Sequence, residues 1–331
     1  MLALYVFFLI LGFALLVKGA DWFVDGSAGV AGKCRVSPLV IGLTVVALGT
    51  SLPELCVSVT SAIRGSTDIA IGNVVGSNIV NILLILGCSA LICGLPVQKS
   101  SLVLDLPVLL LSSALLVGLG FWGSAISWYD GLVFLAVFAA YMAILLIKAK
   151  KERKNEVMLE VEPAQEKKPK GKIGQWFARM EQKAWFLILL ILVGAGMVVG
   201  GGMLLVYAAE EIARLFHVDE RIIGLTVVAI GTSLPELVTS VVAAFKKETD
   251  IAVGNVIGSN IFNILLVAGA SSLFHPLRFL PEVNLIDALV ALAAAGLLYL
   301  LALFKGHKLG RIAGAIMLAC FLGYYVYLFV A

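Results

Sequence analysis

The chain has 331 residues, of which 61% are hydrophobic and 14% charged, and its formal net charge is +3. Soluble domains carry about 45–50% apolar and about 25% charged residues, so this is a membrane composition, and the small charge leaves no footprint for nucleic acid. The five cysteines (Cys34, Cys56, Cys88, Cys93, Cys320) share no spacing that marks a disulfide framework or a zinc site, and they read as small buried hydrophobes.

In chain order, apolar stretches of roughly 20 residues predict ten spans, at about 2–24, 38–63, 69–94, 102–121, 127–148, 184–212, 221–245, 251–274, 284–304 and 309–330. The first has neither a basic leader nor a small-residue cleavage site and reads as a retained span. Lys18, Asp21 and Asp25, near its end, are expected to snorkel to the interface. Residues 1–147 thus form a first five-span half, 148–183 a polar linker, and 184–331 a second half. The linker is too charged and proline-bearing to pack a core and is expected to be partly disordered. The stretch from Trp176 to Phe186 after it suits a short interfacial helix. His217, His275 and His307 fall in expected loops. There is no room for a soluble nucleotide-binding domain, and no glycine-rich phosphate loop appears.

If the linker is cytoplasmic, Lys33, Arg35, Lys99, Lys246, Lys247, Lys305, Lys308 and Arg311 share its side, against Arg64, Arg214, Arg221 and Arg278 on the other. The excess of basic residues predicts a cytoplasmic linker and both termini outside.

Residues 41–87 and 223–269 align without gaps at a constant offset and are about two thirds identical, including "GTSLPEL" letter for letter. Five spans, an odd number, precede the linker, so the second copy enters the membrane from the opposite side. The expected fold is an all-α polytopic protein of two inverted five-helix repeats, with broken helices at the midplane.

Pro53 and Pro235 lack an N–H, which frees a carbonyl one turn earlier and bends the helix. A packing kink or a functional break would each explain them. Broken backbone at this depth must face protein or a water-filled cavity. Glu54 and Glu236 argue for function, because a carboxylate at mid-span costs a few kcal/mol even on lenient scales. Thr50, Ser51 and Ser58, with Thr232, Ser233 and Ser240, stand beside them at helical spacing. In the second motif, "GNVVGSNIVNILL" and "GNVIGSNIFNILL", Asn73, Ser77 and Asn81 share one face, as do Asn255, Ser259 and Asn263. They serve either as interhelical glue or as further ligands. Gly72 and Gly76, like Gly254 and Gly258, allow a close helix approach. Asp68 and Asp250 are expected to cap their helices. The whole donor set is oxygen, which suits Ca2+, Na+ or Mg2+ rather than zinc or copper.

These paired motifs resemble those of the sodium/calcium exchangers of the cation/Ca2+ antiporter superfamily, specifically its bacterial and archaeal calcium/sodium antiporters. The resemblance covers nearly the whole chain. It implies a transporter rather than an enzyme, exchanging cytoplasmic Ca2+ for Na+ by alternating access in a prokaryotic inner membrane. The partners are lipid and the two ions, with no cofactor and no obligatory protein partner. The cation ligands it implies are the Ala47 carbonyl, Thr50, Ser51, Glu54, Ser77 and Asn81, with the Ala229 carbonyl, Thr232, Ser233, Glu236, Ser259 and Asn263. Several relatives, including potassium-dependent exchangers, have aspartate where this chain has Asn263, which implies no potassium co-transport. Two carboxylates balance one Ca2+ but not three Na+, so exchange is expected to be electrogenic. H+/Ca2+ exchange through the same glutamates is the alternative. Symmetric acids without a distinct nucleophile argue against an intramembrane protease, and inverted broken helices argue against a channel.

Overall fold

The computed structural model describes residues 2–156, 183–216, 229–304 and 306–330. Residues 157–182 of the linker, His217, Arg221, Lys305 and the start of the seventh expected span lie outside these. Among the described residues, eight helices are long and apolar enough to cross a membrane, and one bent pair makes a ninth span.

The first half comprises α1 (Leu2–Cys34), the bent pair α2 (Pro38–Thr50) and α3 (Leu52–Ile63), α4 (Thr67–Ile92), α5 (Ser101–Gly123) and α6 (Trp128–Glu156). The second comprises α7 (Ala184–Leu215), the short α8 (Ala229–Thr232), α9 (Leu234–Phe245), α10 (Thr249–Phe274), α11 (Pro281–Leu303) and α12 (Arg311–Val330). One expectation about boundaries changes. Helix α6 runs on to Glu156, into the polar segment, because Lys, Glu and Arg are good helix formers in water. Helix α7 opens at Ala184, where the sixth expected span begins, and of the stretch Trp176 to Phe186 the part before Lys183 lies outside the described residues.

The halves are inverted. Gln98, just past α4, donates to the carboxylate of Asp250 at the start of α10 (2.8 Å). The backbone N–H of Arg278, just past α10, donates to Thr67 at the start of α4 (3.3 Å). Each helix therefore ends beside the other's start. Two short antiparallel strand pairs repeat the relation: β1 (Leu95–Pro96) with β4 (Lys308–Leu309), and β2 (Ala125–Ile126) with β3 (Leu277–Arg278). Each tie joins one half to the other. Asp250 thus bonds to a neighbouring loop, and neither it nor Asp68 caps its helix.

Helices α4 and α10 form the centre. Residues Ile251 to Phe262 of α10 are buried without interruption, apolar on most faces and with Asn255, Ser259 and Asn260 as the buried polar residues. Gly254 and Gly258 admit α2 as expected: a Cβ there would meet Leu39 O at 2.7 Å and Leu43 O at 2.9 Å. No described residue comes within 4 Å of a Cβ placed on Gly72 or Gly76.

Helices α1 and α7 pack along a glycine seam. A Cβ on Gly12 or Gly201 would meet the other's carbonyl oxygen at 2.8 Å, and Gly19 and Gly194 repeat this at 2.9 and 2.8 Å. With 33 residues, α1 is about 50 Å long and overshoots a hydrocarbon core of about 30 Å. Its charges do not end the helix, which runs on to Cys34. Lys246, after α9, bridges Asp21 and Asp25, and Lys18 pairs with Asp21. The cysteine expectation is corrected too: Cys34, Cys56 and Cys320 are exposed, and Cys88 and Cys93 only half-buried. On a lipid-facing surface an exposed thiol is still in apolar company.

Candidate cation site

The break in the first motif falls at Ser51 (φ −84°, ψ 6°), and the axes of α2 and α3 diverge by 47°. Pro53 sits in the first turn of α3, where its missing N–H removes no bond that α3 needs. The second motif breaks the same way at Ser233 (φ −88°, ψ 4°), with Pro235 in the first turn of α9. Each break starts a new helix, and each glutamate lies in that first turn, at the positive end of the dipole. Glu54 and Glu236 are fully buried.

The halves interlock around these turns. Thr50 Oγ1 lies 3.0 Å from Asn255 Oδ1 and 3.4 Å from Ser259 Oγ, both on α10. Ser51 Oγ donates to Glu236 Oε1 at 3.1 Å, and Ser259 Oγ approaches the same oxygen at 3.5 Å. Thr232 Oγ1 donates to Asn73 Oδ1 on α4 at 3.3 Å. The Ala47 carbonyl accepts the Ser51 N–H (3.0 Å) and lies 3.3 Å from Thr50 Oγ1. Ala229 opens α8 at the equivalent place.

Several buried oxygens have no hydrogen-bond partner among the described residues: both of Glu54, Oε2 of Glu236, the hydroxyls of Ser77 and Ser233, and Oδ1 of Asn81 and Asn263. A buried polar atom left unbonded costs about 1–3 kcal/mol, and more for a charged group. Such a cluster is expensive for folding alone. These atoms belong to residues that the sequence motifs picked out, while other unpartnered buried oxygens, among them Asn260 Oδ1, Thr239 Oγ1 and Asp105 Oδ2, do not. The chemistry they offer is hard-oxygen coordination of a divalent or alkali cation. Among the described residues, no group of three or more His, Cys, Asp or Glu side chains comes together, so two carboxylates and neutral oxygens make up the donor set.

Two asparagine pairs divide the roles left open by sequence. Asn73 donates to Ser58 Oγ (2.9 Å) and the Glu54 carbonyl (3.2 Å), and Asn255 donates to Ser240 Oγ (2.9 Å). Each also faces a motif threonine of the other half, so these amides are struts holding the broken helices to α4 and α10. Asn78 and Asn260 escaped the sequence reading. Asn78 contacts Asn263 and Asn260 across the two halves. The signal was present, since both are buried, lie one residue past Ser77 and Ser259, and are identical in the two copies. Asn81 lies in a π-helical turn, Val80–Leu86, and Asn263 opens another, Asn263–Ala268. Such turns rotate side chains out of α register and often mark functional positions.

The family model described as sodium/calcium exchanger protein matches residues 4–147 and again 186–330. The sodium/calcium exchanger MaX1 of Methanosarcina acetivorans is 34% identical over 351 aligned residues, covering 97% of each chain. The inner membrane protein YrbG of Escherichia coli is 36% identical, covering 95% of this chain and 93% of its own. Among solved structures, that of the sodium-calcium exchanger NCX_Mj superposes with a TM-score of 0.83 at 34% identity, covering 98% of this chain and 99% of that one.

Proposed function

The chain belongs to the sodium/calcium exchanger family, and on that premise we propose that it moves Ca2+ across the membrane against Na+ by alternating access. The observation that carries this is the set of unpartnered buried oxygens on Glu54, Glu236, Ser77, Ser233, Asn81 and Asn263, drawn from both halves at the broken helices. In this reading Glu54 and Glu236 neutralise Ca2+, and the hydroxyls and amides complete its shell. The Ala47 and Ala229 carbonyls, Thr50, Ser51, Thr232 and Ser259 supply neighbouring Na+ positions. The Ser51–Glu236 and Thr50–Ser259 contacts hold these oxygens side by side, and a hydroxyl that donates its proton to a neighbour keeps lone pairs for a cation. Shared ligands make occupancy by one ion exclude the other, which is the requirement for antiport.

Charge sets the rest. Two carboxylates neutralise one Ca2+, whereas three Na+ would leave one positive charge in a medium where unbalanced charge is costly. Exchange is therefore electrogenic. Asn263 offers a neutral amide where a third carboxylate would offset a K+ bound beside Ca2+, and on that ground we read exchange as independent of potassium. Lys99, Lys246 and Lys308 lie on the face of the β1–β4 pair and of the Gln98–Asp250 bond. We assign that face to the cytoplasm, with both termini outside. The likeness to YrbG supports a cytoplasmic membrane location.

The test is Ca2+ uptake into proteoliposomes under imposed Na+, H+ or K+ gradients, with the voltage clamped. Uptake driven by outward Na+ alone is expected, and a membrane potential should modulate it. Uptake driven by a pH gradient without Na+ would replace Na+ by H+ as the counter-ion. An obligatory K+ requirement would overturn the charge argument at Asn263.

A further inference from the structure

We propose that Asn78 is a positioning residue for cation binding: it fixes which end of the Asn263 amide is offered to the ion. This rests on the reading of Asn263 as a ligand. A buried asparagine can present oxygen or nitrogen, and only the oxygen ligates a cation. The amide of Asn78 donates to the backbone carbonyl of Asn260 at 3.4 Å, which turns the Asn78 oxygen the other way. That oxygen accepts from Asn263 Nδ2 at 3.2 Å. Asn263 has therefore spent its nitrogen on α4, and its Oδ1 is left buried and unbonded. A backbone carbonyl, which cannot be reversed, anchors the chain of two bonds and dictates the outcome at the far end.

The other half lacks this device. Asn260 donates to Val256 O of its own helix at 2.7 Å, and its Oδ1 has no partner among the described residues. Asn81, which it would orient by symmetry, has neither amide atom bonded there. The protein orients one ligand amide and leaves the other unanchored, although the two GSN motifs are identical.

The test compares Asn78→Ala in two backgrounds, measuring KM and maximal rate for Ca2+ in proteoliposomes. In the unmodified chain, KM should rise about five- to tenfold, the size of one lost hydrogen bond, with the maximal rate within about twofold. In an Asn263→Asp background the same substitution should raise KM less than about twofold, because a carboxylate has two equivalent oxygens and needs no orientation. An equal rise in both backgrounds would make Asn78 a packing residue and overturn the proposal. A rise in KM for Asn263→Ala but none for Asn78→Ala would overturn the positioning alone. No change for Asn263→Ala would overturn the ligand assignment and the positioning with it. Should N78A fail to reach the membrane, N78S carries the same comparison, since its hydroxyl reaches less far than the amide it replaces.

Discussion

Glu236 and Glu54 stand at the same place in the two copies of "GTSLPEL", in different surroundings. Glu236 faces Ser51 and Ser259 across 3.1 and 3.5 Å, whereas neither oxygen of Glu54 meets a donor among the described residues. The hydroxyls that would mirror those donors, Ser233 and Ser77, are present but unbonded there. The mirrored hydroxyl is still at hand, since Ser233 faces the Glu54 carboxylate beyond hydrogen-bond reach, so the two halves differ in distance rather than in neighbours. Inverted repeats work this way when two halves exchange arrangements during a transport cycle.

Removing either charge is the harshest way to break the comparison. Glu54→Gln and Glu236→Gln keep shape but remove half of the negative charge facing the ion. Each should cut Ca2+ exchange at least about 100-fold, a loss of a few kcal/mol of ion stabilisation. Asp68→Asn and Asp250→Asn, at the starts of α4 and α10, should change flux less than about threefold. Near-normal flux in either glutamine variant would remove that residue from the site.

The seam between α1 and α7 gives the next effect. A methyl group on Gly194 would meet backbone atoms of Phe23 and Gly19 at 2.7 and 2.8 Å, and neither can swing aside. Gly194→Ala should lower thermal stability in detergent by about 1–3 kcal/mol, the usual cost of overpacking. At Gly196 and Gly200, on the same helix, a Cβ would meet no described atom within 4 Å. Alanine at either should be neutral or slightly stabilising, because glycine is the poorer helix former. Equal losses at all three positions would mean that the seam is not what holds the pair together.

How much of this is legible in the sequence differs by feature. The repeat announces the inverted fold, and the duplicated proline–glutamate pair marks where the helices break, because both act through local chemistry. What stays hidden depends on contacts across the halves. The glycine seam joins residues nearly two hundred positions apart. Asn73 and Asn255 look no different in sequence from Asn81 and Asn263, and only their partners separate strut from candidate ligand. The π-helical turns of α4 and α10 have no periodic signature in an apolar run. The sequence understates the length of α1 because Asp21 and Asp25 look like a terminus, whereas their counter-charge arrives from Lys246 in the other half.

Lys246 offers a milder contrast. It bridges two carboxylates of α1, while Arg64, its counterpart in the first copy, is exposed and has no ion pair among the described residues. Lys246→Met should alter the exchange rate by a fewfold at most, and less at high salt, since such partly exposed pairs contribute about 1 kcal/mol or less. Arg64→Met should have no effect. A salt-insensitive loss in the first variant would assign Lys246 a role in packing instead.

The smallest effect concerns a second duplicated pair, far from the motifs. Tyr141 on α6 donates to Asp105 on α5 at 3.0 Å, and Tyr324 on α12 donates to Asp287 on α11 at 2.8 Å. The bonds match in place but not in burial: Asp105 is fully enclosed and its other oxygen has no partner among the described residues, whereas Asp287 and Tyr324 are half-buried. Tyr141→Phe removes the tyrosine bond from a buried carboxyl whose other polar neighbours are Ser101 and Lys148, which costs about 1–3 kcal/mol. Tyr324→Phe leaves one that water or lipid headgroups can still reach, so its cost should stay near 0.5–1 kcal/mol. Thermal unfolding in detergent should therefore place Tyr141→Phe clearly below Tyr324→Phe, with Ca2+ exchange by both variants within about twofold of the unmodified protein. Equal destabilisation would show that the two halves carry the pair in the same environment, and a specific loss of exchange in either would tie these outer helices to the transport step.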